Sequence, residues 1–485
     1  MNETQDKRKR VIVIGGGISG LAAAHRLVER RGQSSVALEI ILLEASAQLG
    51  GIVRTERRDG FLLEGGPDSF ISEKPEALEL AKRLGLASRL IETNAEHRRS
   101  FIVRAGKLHA VPEGFQLLAP SRFWPFATSG IFSLKGKARM ALDLFLPRRS
   151  AANGQDDESL AQFVRRRLGR EALERMAQPM VSGIYTADPE RLSLRATMPR
   201  FLEMERAHRS LIRAMWKNRR EQSRTEARDT SGARYSLFLS FDEGMQELPR
   251  AIVERLKDVS IRLNTKAEAV AFDATSRRWK IRVGGDEAIA ADAVCLALPA
   301  YGSARLLREV DAQLANELDA IPYASTATIN LAYRRTDVPH PLDGFGFVVP
   351  ITEKRATLAC TFSSVKFKGR APDGCALLRA FVGGALQPEM FALDEDEMVA
   401  RVRDDLRELL RVEKPPLFAH VKKWPRSMAQ YHLGHIERVE RIRERTSSLL
   451  NLKLAGNAYS GAGIPDCVRS GESAADEMLA TLGAD

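Results

Sequence analysis

Two glycine-rich turns, one near each end of the chain, carry the residues whose types and spacing could do chemistry. The first lies in VIVIGGGISGLAAAHRL, residues 11–27, where Gly15, Gly17 and Gly20 fit G-x-G-x-x-G. Glycines at that spacing allow a tight turn, close backbone approach to a pyrophosphate and close packing of helix on strand. The free N–H groups and positive dipole end of the following helix favour the anion. A second apolar run, Ile40–Leu43, ends in Glu44, a carboxylate placed to hydrogen-bond a ribose hydroxyl and to repel a 2′-phosphate. The gap to Glu44 exceeds the usual ~20 residues, and the polar piece Arg30–Ser35 reads as the insertion responsible. Strand, turn, helix and acid in this order predict an ADP-containing dinucleotide.

The second turn is Gly456–Gly463 in LKLAGNAYSGAGIPDCVRSGESAADEML, between a strand at Leu452–Ala455 and a helix opening at Ile464 and Pro465. Proline suits the first helical turn, where a missing N–H costs nothing. The helix start stabilises nearby negative charge by ~0.3–1 kcal/mol, and a reduced isoalloxazine carries such a charge. Read alone, this is a capped surface helix. Paired with the N-terminal turn, it is the second half of a flavin site.

The elements between must hold these turns together. Val11–Ile14 and Ile40–Leu43 read as buried parallel strands. Phe61–Leu63 reads as a short strand before a Gly65-Gly66-Pro67 turn, and residues 75–90 as an amphipathic helix. Residues 114–142 hold no acidic residue but carry Phe115, Phe123, Trp124, Phe126 and Phe132. SAANGQDDES at 150–159 reads as an exposed connection, and Arg200–Arg228 as a long basic helix fading into polar EARDTSGARYS. Gly244–Leu256 reads as a helix, and Ile261–Phe272, Trp279–Val283 and Ala293–Leu298 as strands. Ala327–Tyr333, Phe345–Val349, Ala356–Phe362 and Ala376–Val382 form a closely spaced strand group, expected as an antiparallel sheet. A helix over Asp394–Arg411 follows.

A chain of 485 residues accommodates two or three domains, and 44% hydrophobic with 28% charged residues fits a globular protein. No apolar run reaches the ~20 residues of a membrane helix, and the polar start MNETQDKRKR predicts no secretory signal. Cys295, Cys360, Cys375 and Cys467 are scattered, which predicts neither disulfide nor zinc site and suits a reducing cytoplasm. His432 and His435 read as ordinary polar residues rather than metal ligands, so no metal is expected. The net charge of +11 is spread along the chain with no nucleic-acid module, so it reads as solvated basicity and no nucleic-acid partner is expected.

Three further pieces carry a resemblance: Glu64-Gly65-Gly66-Pro67-Asp68-Ser69-Phe70; Gly183-Ile184-Tyr185 with Asp188-Pro189 and Leu192-Ser193; and Gly456-Asn457 with Gly463-Ile464-Pro465-Asp466-Cys467. Together they resemble the FAD-dependent porphyrinogen oxidases of haem synthesis, within the amine oxidase and phytoene desaturase superfamily. The resemblance covers nearly the whole chain. It implies an α/β fold with a discontinuous Rossmann-like FAD-binding domain (8–91, 240–300 and 445–485). A mainly helical domain that faces a membrane or forms a lid (92–230) and an antiparallel-sheet substrate domain (301–444) complete it. It implies that Gly15, Gly17, Ile18, Ser19, Gly20, Glu44 and Ala45 hold the ADP half of FAD. Gly51, Ile52, Val53 and Arg54, with Gly65, Gly66, Pro67 and Asp68, then run beside pyrophosphate and flavin. Val270 contacts the adenine side through its backbone, and Trp424, Gly456, Asn457, Gly463, Ile464, Pro465 and Val468 flank the isoalloxazine. Where the family often has Pro-Gln-Tyr, this chain has Ala429-Gln430-Tyr431.

The implied chemistry is hydride loss from a porphyrinogen bridge to the flavin, with O2 as final acceptor and hydrogen peroxide as product. It needs positioning and electrostatics rather than a nucleophile or metal, and no catalytic acid or base stands out. The substrate propionates call for cations, and Lys74, matching a lysine of the coproporphyrinogen branch, is the expected partner. Ser100 stands before Phe101–Val103 where the protoporphyrinogen branch presents an arginine, although Arg98 and Arg99 are adjacent. Coproporphyrinogen III is therefore the expected substrate and protoporphyrinogen IX the alternative, with a flavin amine oxidase, a carotenoid desaturase or a non-catalytic FAD-stabilised binder as more distant readings. A cytoplasmic protein with at most weak peripheral membrane contact is expected. The sequence leaves the oligomeric state open.

Overall fold

Val11–Ile14 ends the strand Lys9–Ile14, which is the centre of a five-stranded parallel sheet. The order across that sheet is Ser260–Arg262, Leu38–Leu43, Lys9–Ile14, Ala293–Leu296 and Leu452–Leu454, so strands distant in sequence lie side by side. The computed structural model describes residues 8–32, 36–116, 118–149, 157–222, 238–285 and 287–483. Residues 33–35 of the expected insertion, 150–156 of the expected connection and 223–236 of the basic stretch lie outside them.

The unbroken apolar runs follow from burial on both faces. Val11, Val13, Ile40 and Leu42 pack into a core with the helices Ile18–Arg31, Glu247–Arg255 and Ile464–Leu482. Ile12, Ile14, Ile41 and Leu43 face the opposite core, built with a three-stranded antiparallel sheet and the helices Ala300–Leu307 and Ala312–Asp319. Helices Ile18–Arg31 and Ile464–Leu482 approach so closely that a Cβ on Gly471 would fall 2.1 Å from the Ser19 carbonyl oxygen.

The second large sheet has seven strands in the order Phe418–Ala429, Tyr323–Arg334, Cys375–Gly383, Ala359–Phe362, Gly346–Val348, Phe101–Arg104 and Lys107–Ala110. All its pairings are antiparallel except Gly346–Val348 with Phe101–Arg104. Ala327, Ile329, Leu331, Leu378 and Ala380 pack against Met398, Val402 and Leu406 of the helix Glu395–Leu410. The opposite face, bearing Thr328, Asn330 and Arg379, meets the nucleotide half through the 64–66 backbone. The helices between 123 and 222 form a third body with its own core, which Ile102 joins.

Three expectations are corrected. Ile261–Phe272 is two strands, Ser260–Arg262 in the parallel sheet and Ala267–Asp273 in the small antiparallel sheet, separated where Asn264 takes a φ of 50°. The basic stretch is two helices, Pro199–His208 and Leu211–Gln222, broken at Arg209 with a φ of 62°. The break is fixed from outside: buried Arg167 donates to the Arg209 carbonyl at 2.6 Å, and Asp143 accepts from Ser210 Oγ at 2.7 Å. Finally, the hairpin at 101–110 completes the sheet of the 301–444 segment, whereas the 300–319 helices pack on the nucleotide half.

Candidate functional site

Gly15 has a φ of +108°, and a Cβ there would lie 2.4 Å from the Ala297 carbonyl oxygen. A Cβ on Gly20 would lie 1.8 Å from the Gly15 oxygen, so these two glycines let helix, turn and strand touch. Gly17 differs. It caps the helix Ile18–Arg31 with a φ of −72°, no side chain caps that end, and a Cβ there would meet nothing within 4 Å. Free N–H groups thus open onto free space. Glu44 closes the next strand and is held at the turn, Oε2 accepting from Gly16 N and Oε1 from Ser46 N, both at 2.7 Å. Ile18 and Ser19 are buried behind the turn, and Ala45 is exposed in front of it.

Gly51 brings the next segment against this opening, since its Cβ would lie 3.1 Å from the Gly17 Cα. Ile52 follows, 38% exposed despite its apolar side chain, and Val53 is buried. A Cβ on Gly66 would fall 1.7 Å from the Ile52 oxygen, so the Gly65-Gly66-Pro67 turn rests directly on Ile52. The turn is gripped from the seven-stranded sheet. Trp424 Nε1 and Thr328 Oγ1 donate to the Gly65 carbonyl at 2.7 and 2.8 Å, and Arg379 donates to the Gly66 carbonyl. Arg54 donates to Gln48 Oε1 at 2.8 Å and to the Leu49 carbonyl at 3.0 Å, so its role is to fold the 48–54 loop around the opening.

Asp68 binds Lys366 Nζ at 3.0 and 2.9 Å and lies 3.8 Å from Arg379. Burial alone would raise its pKa, but the Lys366 and Arg379 charges overcome this and hold the carboxyl well below the usual range.

At the other turn, Gly456 takes a φ of +141° and its N–H donates to Ser470 Oγ at 3.0 Å. The Tyr431 hydroxyl donates to the Asn457 carbonyl at 2.6 Å and accepts from Gly461 N at 2.8 Å, pinning the loop from both ends. His435 stacks on the Tyr431 ring with centroids 4.1 Å apart. Gly463 caps the helix Ile464–Leu482, with Pro465 in its first turn and Val468 fully buried. Val270 lies in Ala267–Asp273, an edge strand of the small sheet, so one line of its backbone groups has no strand partner among the described residues.

Lys74 is placed differently from the expectation. Its ammonium meets both oxygens of buried Asp466 at 2.8 and 2.7 Å, and Arg469 adds a third contact at 2.6 Å. Lys74 therefore ties the 68–76 segment to the last helix instead of standing as an unpaired cation. Ser100 is buried before Phe101–Arg104, and Arg99 is spent on Asp343. Lys366, Thr328 and Arg379 were missed. The available signal was Arg379 itself, a charge inside the apolar run Ala376–Val382.

These residues fit an extended dinucleotide: a ribose carboxylate at Glu44, anion donors and open space at Gly17, and a backbone ledge at 51–52 and 65–66 for a flat ring. The sequence profile of the flavin containing amine oxidoreductases matches residues 18–479, and the chain belongs to that family. It is an FAD-dependent oxidoreductase of α/β fold. Among its relatives, the coproporphyrinogen III oxidase of Bacillus subtilis (strain 168) is 34% identical over 98% of this chain and 99% of its own length. That of Staphylococcus aureus is 32% identical over 98% and 100%, and the chloroplastic protoporphyrinogen oxidase of Nicotiana tabacum 30% over 97% and 85%. A crystal structure of a protein named as a protoporphyrinogen oxidase, from Exiguobacterium sp. 255-15, superposes with a TM-score of 0.85 at 30% identity, covering 97% of this chain and 99% of that one. A putrescine oxidase at 19% identity and a TM-score of 0.67 shares the fold.

Proposed function

We propose that this protein oxidises coproporphyrinogen III to coproporphyrin III with molecular oxygen. The observation that carries this reading is the 34% identity, over essentially both full lengths, to the coproporphyrinogen III oxidase of Bacillus subtilis. Three molecules of O2 take up the six electrons and six protons lost, giving three of hydrogen peroxide. Bound FAD supplies the two-electron acceptor. The chain's own residues bind and orient: Glu44 and the Gly17 helix start take the ADP half. The 51–52 and 65–66 backbone, locked by Trp424, Thr328 and Arg379, forms the ledge against which ring and substrate align. No side chain is required as nucleophile, so rate comes from holding the reacting carbon near the acceptor and from a favourable field.

The test is a side-by-side assay of both porphyrinogens with peroxide detection. A higher kcat/KM for coproporphyrinogen III is expected. Equal or better turnover of protoporphyrinogen IX would move the assignment to that macrocycle, and turnover of neither would remove the porphyrinogen reading.

A peripheral membrane contact is supported by four exposed apolar side chains in one stretch of the chain. Phe123, Trp124, Leu134 and Phe145 are exposed at 60%, 75%, 83% and 77%, close in sequence to Lys135, Arg148 and Arg149. Apolar side chains with neighbouring cations suit the headgroup layer of an anionic bilayer. Among the described residues, no helix is long and apolar enough to cross a membrane.

A further inference from the structure

Arg379 stands in the middle of the strand Cys375–Gly383 and is 2% exposed. One terminal nitrogen donates to the Gly66 carbonyl, the other lies 3.8 Å from Asp68, and the buried Nε has no hydrogen-bond partner among the described residues. A guanidinium this deep is costly unless its charge and donors are answered. Here they are answered in part. Asp68 is shared between Arg379 and Lys366, with Ser69 Oγ donating to it at 2.7 Å, so two cations share one carboxylate. Glu64 faces both Arg370 and Arg379, so the buried group holds three cations, Lys366, Arg370 and Arg379, against the two carboxylates of Asp68 and Glu64, while Asp242, which also faces Arg370, is exposed. One positive charge is left over inside the protein.

Its position gives that charge a use. Gly17, Gly51, Ile52 and Gly66 form a continuous line of backbone contacts from the phosphate opening to Arg379. The flavin end of the dinucleotide, on the reading above, lies along the 51–52 and 65–66 part of that line. Two-electron reduction with uptake of one proton adds one negative charge to an isoalloxazine. A buried cation nearby favours the reduced form, the more so where water is excluded.

We propose that Arg379, held in place by the Asp68–Lys366 pair, is a positioning residue that fixes the Gly65–Gly66 turn under the isoalloxazine and raises the reduction potential of the bound FAD. The fork fixes the turn through the Gly66 carbonyl. The surplus charge sets the potential.

The test uses the full-length, FAD-loaded protein, titrated anaerobically with dithionite against a reference dye, together with FAD dissociation followed by flavin fluorescence. Arg379→Met is expected to shift the equilibrium toward oxidised flavin about tenfold, about 30 mV for a two-electron couple. Asp68→Asn, which removes the counter-charge, is expected to shift it the opposite way. Arg379→Lys keeps the charge and loses the fork, so the potential stays near wild type while FAD dissociates more readily. A merely structural role would not produce shifts of opposite sign. Wild-type potential in Arg379→Met, or a fall in Asp68→Asn, overturns the proposal. If Arg379→Met does not retain FAD, Asp68→Asn decides: a rise supports the proposal, and an unchanged or lower potential ends it. No porphyrinogen enters the titration, so a wrong substrate would leave this outcome untouched.

Discussion

Lys74 and Asp466, 392 residues apart in sequence, are joined by an ammonium that touches both carboxylate oxygens, at 2.8 and 2.7 Å. Asp466 is buried at the first turn of the last helix, and Lys74 is half-exposed above it. The pair clamps the segment after the Gly65–Gly66 turn to the start of the last helix. Lys74→Ala is expected to cost about 1–2 kcal/mol, less than a fully buried pair because Lys74 is partly solvated and Arg469 remains. FAD should dissociate more readily and the melting temperature fall. The ratio of KM values for coproporphyrinogen III and protoporphyrinogen IX should stay near wild type. A selective rise in KM for coproporphyrinogen III would return Lys74 to the propionate role suggested by resemblance.

Gly17 and Gly20 belong to one motif but should fail differently. At Gly20 a Cβ would collide with backbone at 1.8 Å, so Gly20→Ala should destabilise the apoprotein or prevent its folding. At Gly17 the φ of −72° and the open space admit alanine, so Gly17→Ala should fold with near wild-type apoprotein stability. Its FAD affinity should nonetheless fall tenfold or more, because the methyl takes the space of the pyrophosphate. Thermal melts of apoprotein with fluorescence titration of FAD separate the two. Unchanged affinity in Gly17→Ala would move the phosphate elsewhere.

Acid should weaken the fold before the carboxylates protonate. Burial, aided by neighbouring arginines, lowers the pKa of His432 and His435 from an ordinary 6.5 to about 4. Between those values the unfolded chain takes up protons that the folded chain refuses, so stability falls as pH drops from about 6.5 to about 4. His435→Gln removes one of the two groups and should flatten the slope in this window. Denaturant midpoints across the range measure it, and an unchanged slope would assign the acid sensitivity elsewhere.

The aromatic surface makes a separable prediction. Replacing Phe123 and Trp124 by serine should reduce co-sedimentation with phosphatidylglycerol vesicles severalfold and leave FAD binding unchanged, because both side chains are exposed in the helix Phe123–Thr128. Equal sedimentation of both forms would remove this patch as a membrane contact.

What could be read in advance was local chemistry. Gly15, Gly17, Gly20 and Glu44 need only strand, turn, helix and strand in succession, and Gly15 and Gly20 have steric reasons within that short stretch and its neighbouring backbone. The strand group at 327–382 announced itself by close spacing. What escaped depends on partners far along the chain. Phe101–Arg104 joins the seven-stranded sheet through a parallel pairing with Gly346–Val348, which no turn signal records. Asn264 interrupts an otherwise plausible strand by one left-handed residue. Lys74 reads in sequence as a partner for propionates, and only the last helix, far along the chain, supplies the carboxylate it meets, while Lys366 has no motif around it.

The parallel sheet also constrains how the molecule comes into being. Its strands are drawn from residues 9–14, 38–43, 260–262, 293–296 and 452–454, and the helix that closes it runs to Leu482. A nascent chain emerging from the ribosome therefore holds the first glycine turn with one apolar edge of its strand unpaired until residues 293–296 are made, and the sheet stays incomplete until residues 452–454 follow. The central strand Lys9–Ile14 cannot acquire Ala293–Leu296 as its neighbour before those then-distant residues appear. Such long-range closure slows folding and leaves sticky intermediates. Free FAD present during refolding should raise the yield by capturing the closed sheet, and a chaperone-poor host should give more aggregate than its flavin-replete counterpart.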